Sequence, residues 1–249
     1  TIKLLRGYPK EAIPYFQESL KISRQIGDRR GECVALKNMG SSYRYLGDPR
    51  KAIEYYEQAL KISQKIGDRR EEGAALGNLG IAYSHLGEPR KVIEYYEQAL
   101  KISQEAGDRR GEGIWLGNLG NAYSDLGDLR KAIEYHEQAL KISTEIGDRR
   151  GEGSDLGNLG IAYYYLGEVR KAIEYYEQAL KISRELDDRR GEGILLGNLG
   201  LAYRDLGDPR KAIEFLEMSL LIGKELRDTR IIDFCEHQLN SLKKQVNKI

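Results

Sequence analysis

The chain has 249 residues, 32% of them charged and 40% hydrophobic, a balance that suits a well-solvated folded protein rather than a disordered one. Its 40 basic and 39 acidic side chains leave a net charge of +1, so no global field draws it to nucleic acid or to an anionic membrane. No apolar run approaches the roughly 18 residues of a membrane span and no signal-peptide pattern opens the chain. The two cysteines, Cys33 and Cys235, stand in unrelated contexts, which fits a reducing compartment; a soluble, cytoplasmic protein is expected.

In chain order, Thr1–Arg6 aligns with Ser41–Leu46, so the chain is expected to open near the end of a helix whose beginning is missing. Gly7-Tyr8-Pro9 starts the next helix, and residues 1–27 read as a partial repeat. A 40-residue period then runs through residues 28–67, 68–107, 108–147, 148–187 and 188–227. Asp68–Gly107 and Asp108–Gly147 are identical at 29 of 40 positions. Such a period predicts a stacked array, in which each unit buries its apolar face only against its neighbours.

Within Asp68–Gly107, Asp68 is the expected N-cap of a first helix, with Glu71 in capping-box spacing. Leu76, Leu79, Gly80 and Tyr83 follow an i, i+3, i+4, i+7 stripe, and Gly87 ends the helix in a left-handed cap. Pro89 suits the first turn of a second helix, whose stripe is Val92, Ile93, Tyr96, Ala99, Leu100 and Ser103. Glu97 and Lys101 form an expected i, i+4 pair on its outer side, and Gly107 closes the unit. Small residues at Gly80 and Ala99 let the two helices approach, while Tyr83 and Tyr96 fill the remaining space. The last segment, residues 228–249, aligns with a first helix but puts Glu236 and Lys243 where Leu196 and Tyr203 stand. That polarity suits a capping helix.

The stripe Leu76, Leu79-Gly80, Tyr83, Gly87, Val92 (alanine in the other copies), Tyr96 and Ala99 has the spacing of the tetratricopeptide repeat, and the chain resembles that family over nearly its whole length. The longer 40-residue unit is similar to those of the Pins/LGN adaptors, of kinesin light chains and of bacterial signalling proteins. The resemblance implies an all-α, right-handed superhelical solenoid of antiparallel helix pairs. It also implies that the first helices line a concave groove that holds an extended peptide.

Repeats diverge most on one face of the first helix. One position reads Val34, Ala74, Ile114, Ser154, Ile194; a second reads Ser41, Ile81, Asn121, Ile161, Leu201. A third reads Arg44, Ser84, Ser124, Tyr164, Arg204, and a fourth Tyr45, His85, Asp125, Tyr165, Asp205. Spacings of 7, 10 and 11 residues put all four on one side of a helix. Asn38, Asn78, Asn118, Asn158 and Asn198 share that side. An amide donates and accepts at once, so an asparagine row suits a peptide backbone, or else ties neighbouring helices together. Specificity would come from Tyr45, Tyr164 and Tyr165 as aromatic platforms, from Arg44 and Arg204 for carboxylates, and from Ile81, Ile161 and Leu201 as apolar contacts.

Arginine pairs at residues 29–30, 69–70, 109–110, 149–150 and 189–190 are flanked by acids, so ion pairs within and between repeats explain them better than an anion site. Lys37 and Arg44 near Asn38 resemble part of the family's carboxylate clamp, but glycine replaces Lys37 in later repeats. His85, His136 and His237 lie in different repeats with no metal-ligand spacing, and His136 reads as a packing substitution for Tyr56, Tyr96 and Tyr176. Trp115 is either a groove anchor or a filler. No nucleophile–base set or phosphate loop is present, so neither catalysis nor a cofactor is expected. The expected partner is a protein or peptide, not nucleic acid or membrane. Two alternatives are a regulatory array of a larger signalling protein and end-to-end self-association through the face near Thr1.

Overall fold

The computed structural model describes residues 7–246, so the expected helix end at Thr1–Arg6 lies outside the described residues. Among the described residues there are twelve α-helices and no strand. They fall into two compact units, residues 1–126 and 127–249. The first holds α1 (Pro9–Ile26), α2 (Arg29–Tyr45), α3 (Pro49–Ile66), α4 (Arg69–His85), α5 (Pro89–Glu105) and α6 (Arg109–Asp125). The second holds α7 (Leu129–Glu145), α8 (Arg149–Tyr165), α9 (Val169–Glu185), α10 (Arg189–Asp205), α11 (Pro209–Leu226) and α12 (Thr229–Val246). Within each unit every helix packs on the next in the chain, as a stack of helix pairs requires.

The starts and stops have local causes. Asp28, Asp68, Asp108, Asp148 and Asp188 each accept a backbone N–H three residues on, at 2.8–3.1 Å, satisfying one of the free donors of a helix start. Glu71 does not complete a capping box; its carboxylate pairs with Lys37 of α2 instead. Glycines with φ between 67° and 85° end most helices, a conformation that costs them little. Asp187 and Arg227 take that role with φ of 52° and 54°, at a steric cost of about 1–2 kcal/mol each.

Two aromatic contacts recur in the helix pairs α2/α3, α4/α5 and α8/α9, and the second of them also in α10/α11. Tyr56, Tyr96 and Tyr176 lie flat on Gly40, Gly80 and Gly160, where a Cβ would come within 2.3–2.6 Å of the ring, so only glycine permits the approach. Tyr43–Tyr55, Tyr83–Tyr95, Tyr163–Tyr175 and Tyr203–Phe215 stack with centroids 5.3–5.4 Å apart, worth about 0.5–1.5 kcal/mol each beyond burial. Beneath them Leu79 and Leu119 in the first unit, and Leu159 and Leu199 in the second, are fully buried. Lys101 pairs with Glu105 at 4.0 Å rather than with Glu97, and Arg69 also reaches Glu105.

At the end of the second unit, α12 buries Ile231, Cys235, Leu239 and Leu242 and leaves Glu236 and Lys243 exposed. Tyr163 and Tyr203 donate from their hydroxyls to Glu137 and Glu177 of the preceding repeat. Lys243 meets Glu217 at 2.9 Å in the same register, so a lysine keeps the polar contact while it faces water.

Candidate functional site

The first-helix face is not flat. Glycines recur inside it at Gly73, Gly153, Gly157, Gly193 and Gly197, where alanine would make a better helix by about 1 kcal/mol. Packing does not demand all of them: a Cβ on Gly73 would meet Ile102 at 3.4 Å, and one on Gly157 only Leu195 at 3.7 Å. The missing side chains leave hollows between successive first helices, floored by the end of the intervening second helix.

Such cavities recur in both units. In the first unit, a cavity of ≈ 500 Å³ lies between α4, α5 and α6, walled by Gly73, Ala74, Ile102, Ala106, Ile114 and Trp115. Arg69, Arg70, Arg110 and Asp108 stand at its polar side. In the second unit, ≈ 310 Å³ opens between α8, α9 and α10, with Asn158, Ile161, Ile182, Ile194, Asn198 and Arg150 among its walls. A third, ≈ 300 Å³, is shared by α10, α11 and α12, with Arg190, Asn198, Ile231 and Phe234. A further ≈ 580 Å³ hollow between α1, α2 and α3 is lined by Gln17, Gln25 and Gln58 and is more polar.

The first set of variable residues belongs to these hollows. Ala74, Ile114, Ser154 and Ile194 line them, Ile114 and Ile194 being 50% and 41% exposed. Ile161 of the second set lines one, whereas Ser41 is tied to the Tyr56 hydroxyl at 3.0 Å and Asn121 is exposed. Ile81 and Leu201 are half-buried.

All five asparagines of the row, Asn38, Asn78, Asn118, Asn158 and Asn198, are half-buried. Among the described residues none of their side-chain amides makes a hydrogen bond.

The third and fourth variable sets line none of the hollows described above. Arg204 donates to Asp205 at 2.7 Å and to Gln238 at 2.8 Å, and the Tyr164 hydroxyl donates to the same Asp205. Burial and the neighbouring Asp205 carboxylate push the Tyr164 phenol up to about 12. Burial of Asp205 acts to raise its carboxyl, but the Arg204 and Tyr164 hydrogen bonds outweigh it and hold it below the ordinary carboxylate value. Arg204 is thus engaged within its own unit. Arg44 stacks over Tyr45 at 4.5 Å, and Lys37 is spent on Glu71, which leaves no carboxylate clamp around Asn38. His85, Asp125 and Tyr165 are exposed.

Trp115 is both filler and wall. Its ring stacks on Tyr96 at 5.8 Å and covers Gly77, whose Cβ position would lie 2.1 Å from it, while it also borders the ≈ 500 Å³ cavity. His136 is fully buried in the tyrosine slot, yet neither ring nitrogen has a hydrogen-bond partner, and Asp155 stands 3.7 Å from Nδ1.

The arginine pairs divide by position. The first members pair within the repeat, Arg29 with Glu32 at 2.6 Å and Arg149 with Glu152 at 2.6 Å; Arg69, Arg149 and Arg189 also reach Glu105, Glu185 and Glu225 near the end of the same repeat. Second members reach the N-cap aspartate of the next repeat only at Arg30–Asp68, 3.1 Å, and Arg190–Asp228, 2.9 Å. Among the described residues Arg70, Arg110 and Arg150 have no ion-pair partner, and all three border a hollow. Sequence reasoning named these arginines but expected ion pairs for all of them, and it missed the open glycines; the glycines did leave a signal, as helix-interior residues that neither cap nor turn.

Among the described residues no cluster of His, Cys, Asp or Glu could hold a metal ion, and no helix is long and apolar enough to cross a membrane. The profile of the tetratricopeptide repeat family matches residues 1–65, 32–105, 71–145, 111–185 and 154–224. No curated protein matches the chain. Among solved structures, BtubC (BKLC) from P. vanneervenii is 24% identical with a TM-score of 0.79, over 89% of this chain and 93% of that one. A signal transduction ATPase with numerous domains from Pyrococcus horikoshii, with a tetratricopeptide repeat sensor, is 21% identical with a TM-score of 0.79, over 99% of this chain and 42% of that one. The quorum sensor NprR of B. thuringiensis, in its apo form, is 17% identical with a TM-score of 0.73, over 91% of this chain and 64% of that one.

Proposed function

The chain belongs to the tetratricopeptide repeat family, and from that premise we propose that it is a non-catalytic scaffold binding an extended peptide, or a segment of a partner protein, along its first-helix face. The observation that carries this reading is the row of five half-buried asparagine amides with no hydrogen bond inside the protein. A half-buried amide whose oxygen and nitrogen still reach solvent costs the fold little. It is a good choice for pairing with the N–H and C=O groups of an extended guest. The apolar residues around the hollows, Ile114, Ile161 and Ile194, would then select side chains. A preformed face also loses little entropy on binding, so modest contacts from several repeats sum to useful affinity.

The similarity to an ATPase carrying a repeat sensor favours a second reading in which the same face is the sensor of a larger signalling protein. Both readings share the asparagine row and therefore one test. Replacing Asn118 and Asn158 with alanine should weaken peptide capture, measured by fluorescence anisotropy, by about thirtyfold if each of the two lost hydrogen bonds is worth about 1 kcal/mol. Helical content and melting temperature should stay within error of the parent. Equal loss of fold and binding would return these asparagines to structure.

A further inference from the structure

We infer that the ≈ 500 Å³ cavity between α4, α5 and α6 takes an acidic peptide segment, seating one large apolar side chain inside and carboxylates on Arg70 and Arg110. This rests on the peptide-binding reading and names the kind of peptide. The first support is the unequal fate of equivalent arginines. The 38-residue step that joins Arg30 to Asp68 and Arg190 to Asp228 would join Arg70 to Asp108 and Arg150 to Asp188. Neither of those pairs forms, so at the hollows of both units a guanidinium stands without an ion-pair partner among the described residues. Arginine presents a planar fork that matches a carboxylate, and a partner of opposite charge completes it.

The second support is the floor beneath those arginines. Ile102, Ala106, Ile114 and the Trp115 ring make an apolar wall, and no side chain of the protein fills the space before it. An aromatic or long aliphatic group would gain there what it loses in water. The two features together select a ligand with both characters. A nucleic acid fits less well: the chain carries a net charge of only +1, and Asp108 lines the same cavity, so a run of phosphates meets repulsion with no compensating field.

Asp108 also makes the proposal testable in the opposite direction. Its carboxylate N-caps α6 by accepting from Gly111 N–H at 2.9 Å, a task that asparagine performs equally well. Asp108→Asn would remove the protein's own negative charge at the cavity without uncapping the helix.

A display library of random nonapeptides is selected on the parent protein, and a synthetic peptide from it is measured on variants. Enrichment of aspartate or glutamate beside phenylalanine, tryptophan or leucine is expected. Affinity should fall about tenfold or more in Arg70→Gln/Arg110→Gln, rise about twofold or more in Asp108→Asn, and weaken with salt. Enriched peptides without acidic residues, lost in Asn118→Ala/Asn158→Ala but indifferent to Arg70 and Arg110, would overturn this inference and leave the peptide-binding reading standing. No enrichment at all would overturn both. An oligothymidylate that binds as tightly as the peptide through the same arginines would replace the acidic peptide as the guest.

Discussion

The two units are built from one repeat and fill the same slot differently. In the first, the slot between a second helix and the following first helix holds Tyr96 stacked on Trp115, which also covers Gly77. In the second, the same register holds His136 against Asp155, and one repeat later Tyr176 with Leu195 near an open Gly157. A repeat therefore fixes the helix frame far more tightly than the residues that plug it. Backbone, caps and the leucine line are shared between units; the plugs, and the hollows they leave, are not.

The largest expected effect tests the shared part. Leu79 in α4 and Leu159 in α8 are both 0% exposed at equivalent positions. Each alanine replacement should cost about 2–5 kcal/mol, the transfer term plus the cavity left behind. The two losses, from urea unfolding monitored by circular dichroism, should agree within about 1 kcal/mol if the units have equal cores. A loss in one unit only would mean that identity of sequence has not produced identity of packing.

The slot itself comes next. His136 replaces a tyrosine, and Asp155 replaces the alanine, tryptophan or leucine of Ala75, Trp115 and Leu195. The aspartate's other oxygen is 3.3 Å from the Ser143 hydroxyl, and both partners are buried. A buried polar pair with poor hydrogen-bond geometry stabilises less than well-packed apolar residues of similar volume. His136→Tyr/Asp155→Leu should therefore raise stability by about 1–4 kcal/mol. His136→Tyr alone should lower it, since a carboxylate would remain buried beside a ring. The two substitutions should depart from additivity by about 1 kcal/mol or more; additive melting shifts would mean that the two side chains do not act as a pair.

How much of this could be read in the sequence follows the same division. The 40-residue period, the Asp caps, the closing glycines and the leucine line were visible because each copy repeats the same physical requirement. Helical phase also placed the variable residues on one side of the helix. It could not say how far along that side a hollow extends. Tyr164, Tyr165, Arg204 and Asp205 lie 10 or 11 residues beyond Ser154 and Ile194, about 15 Å further along the axis. There they meet each other, as the Tyr164–Asp205–Arg204 contacts show, rather than a cavity. Arg70 and Arg30 sit in near-identical local sequence, so the difference in their pairing was invisible until the next repeat's aspartate was placed.

The smallest effect is the most discriminating, because it separates stability from binding by sign. Gly77 and Gly157 occupy one position in the two units. A methyl group on Gly77 would strike the Trp115 ring at 2.1 Å, so Gly77→Ala should destabilise by about 1–3 kcal/mol through overpacking. On Gly157 the nearest atom would be Leu195 Cδ2 at 3.7 Å, an ordinary contact, so Gly157→Ala should stabilise by about 0.5–1 kcal/mol by restoring a helix former. Yet Gly157 lines the ≈ 310 Å³ hollow with Asn158 and Ile161, and its new methyl would project where a guest side chain is expected. A more stable protein that binds peptide less well would show that the glycine is kept for the space it leaves. A variant both more stable and equally competent would remove that hollow from the binding face.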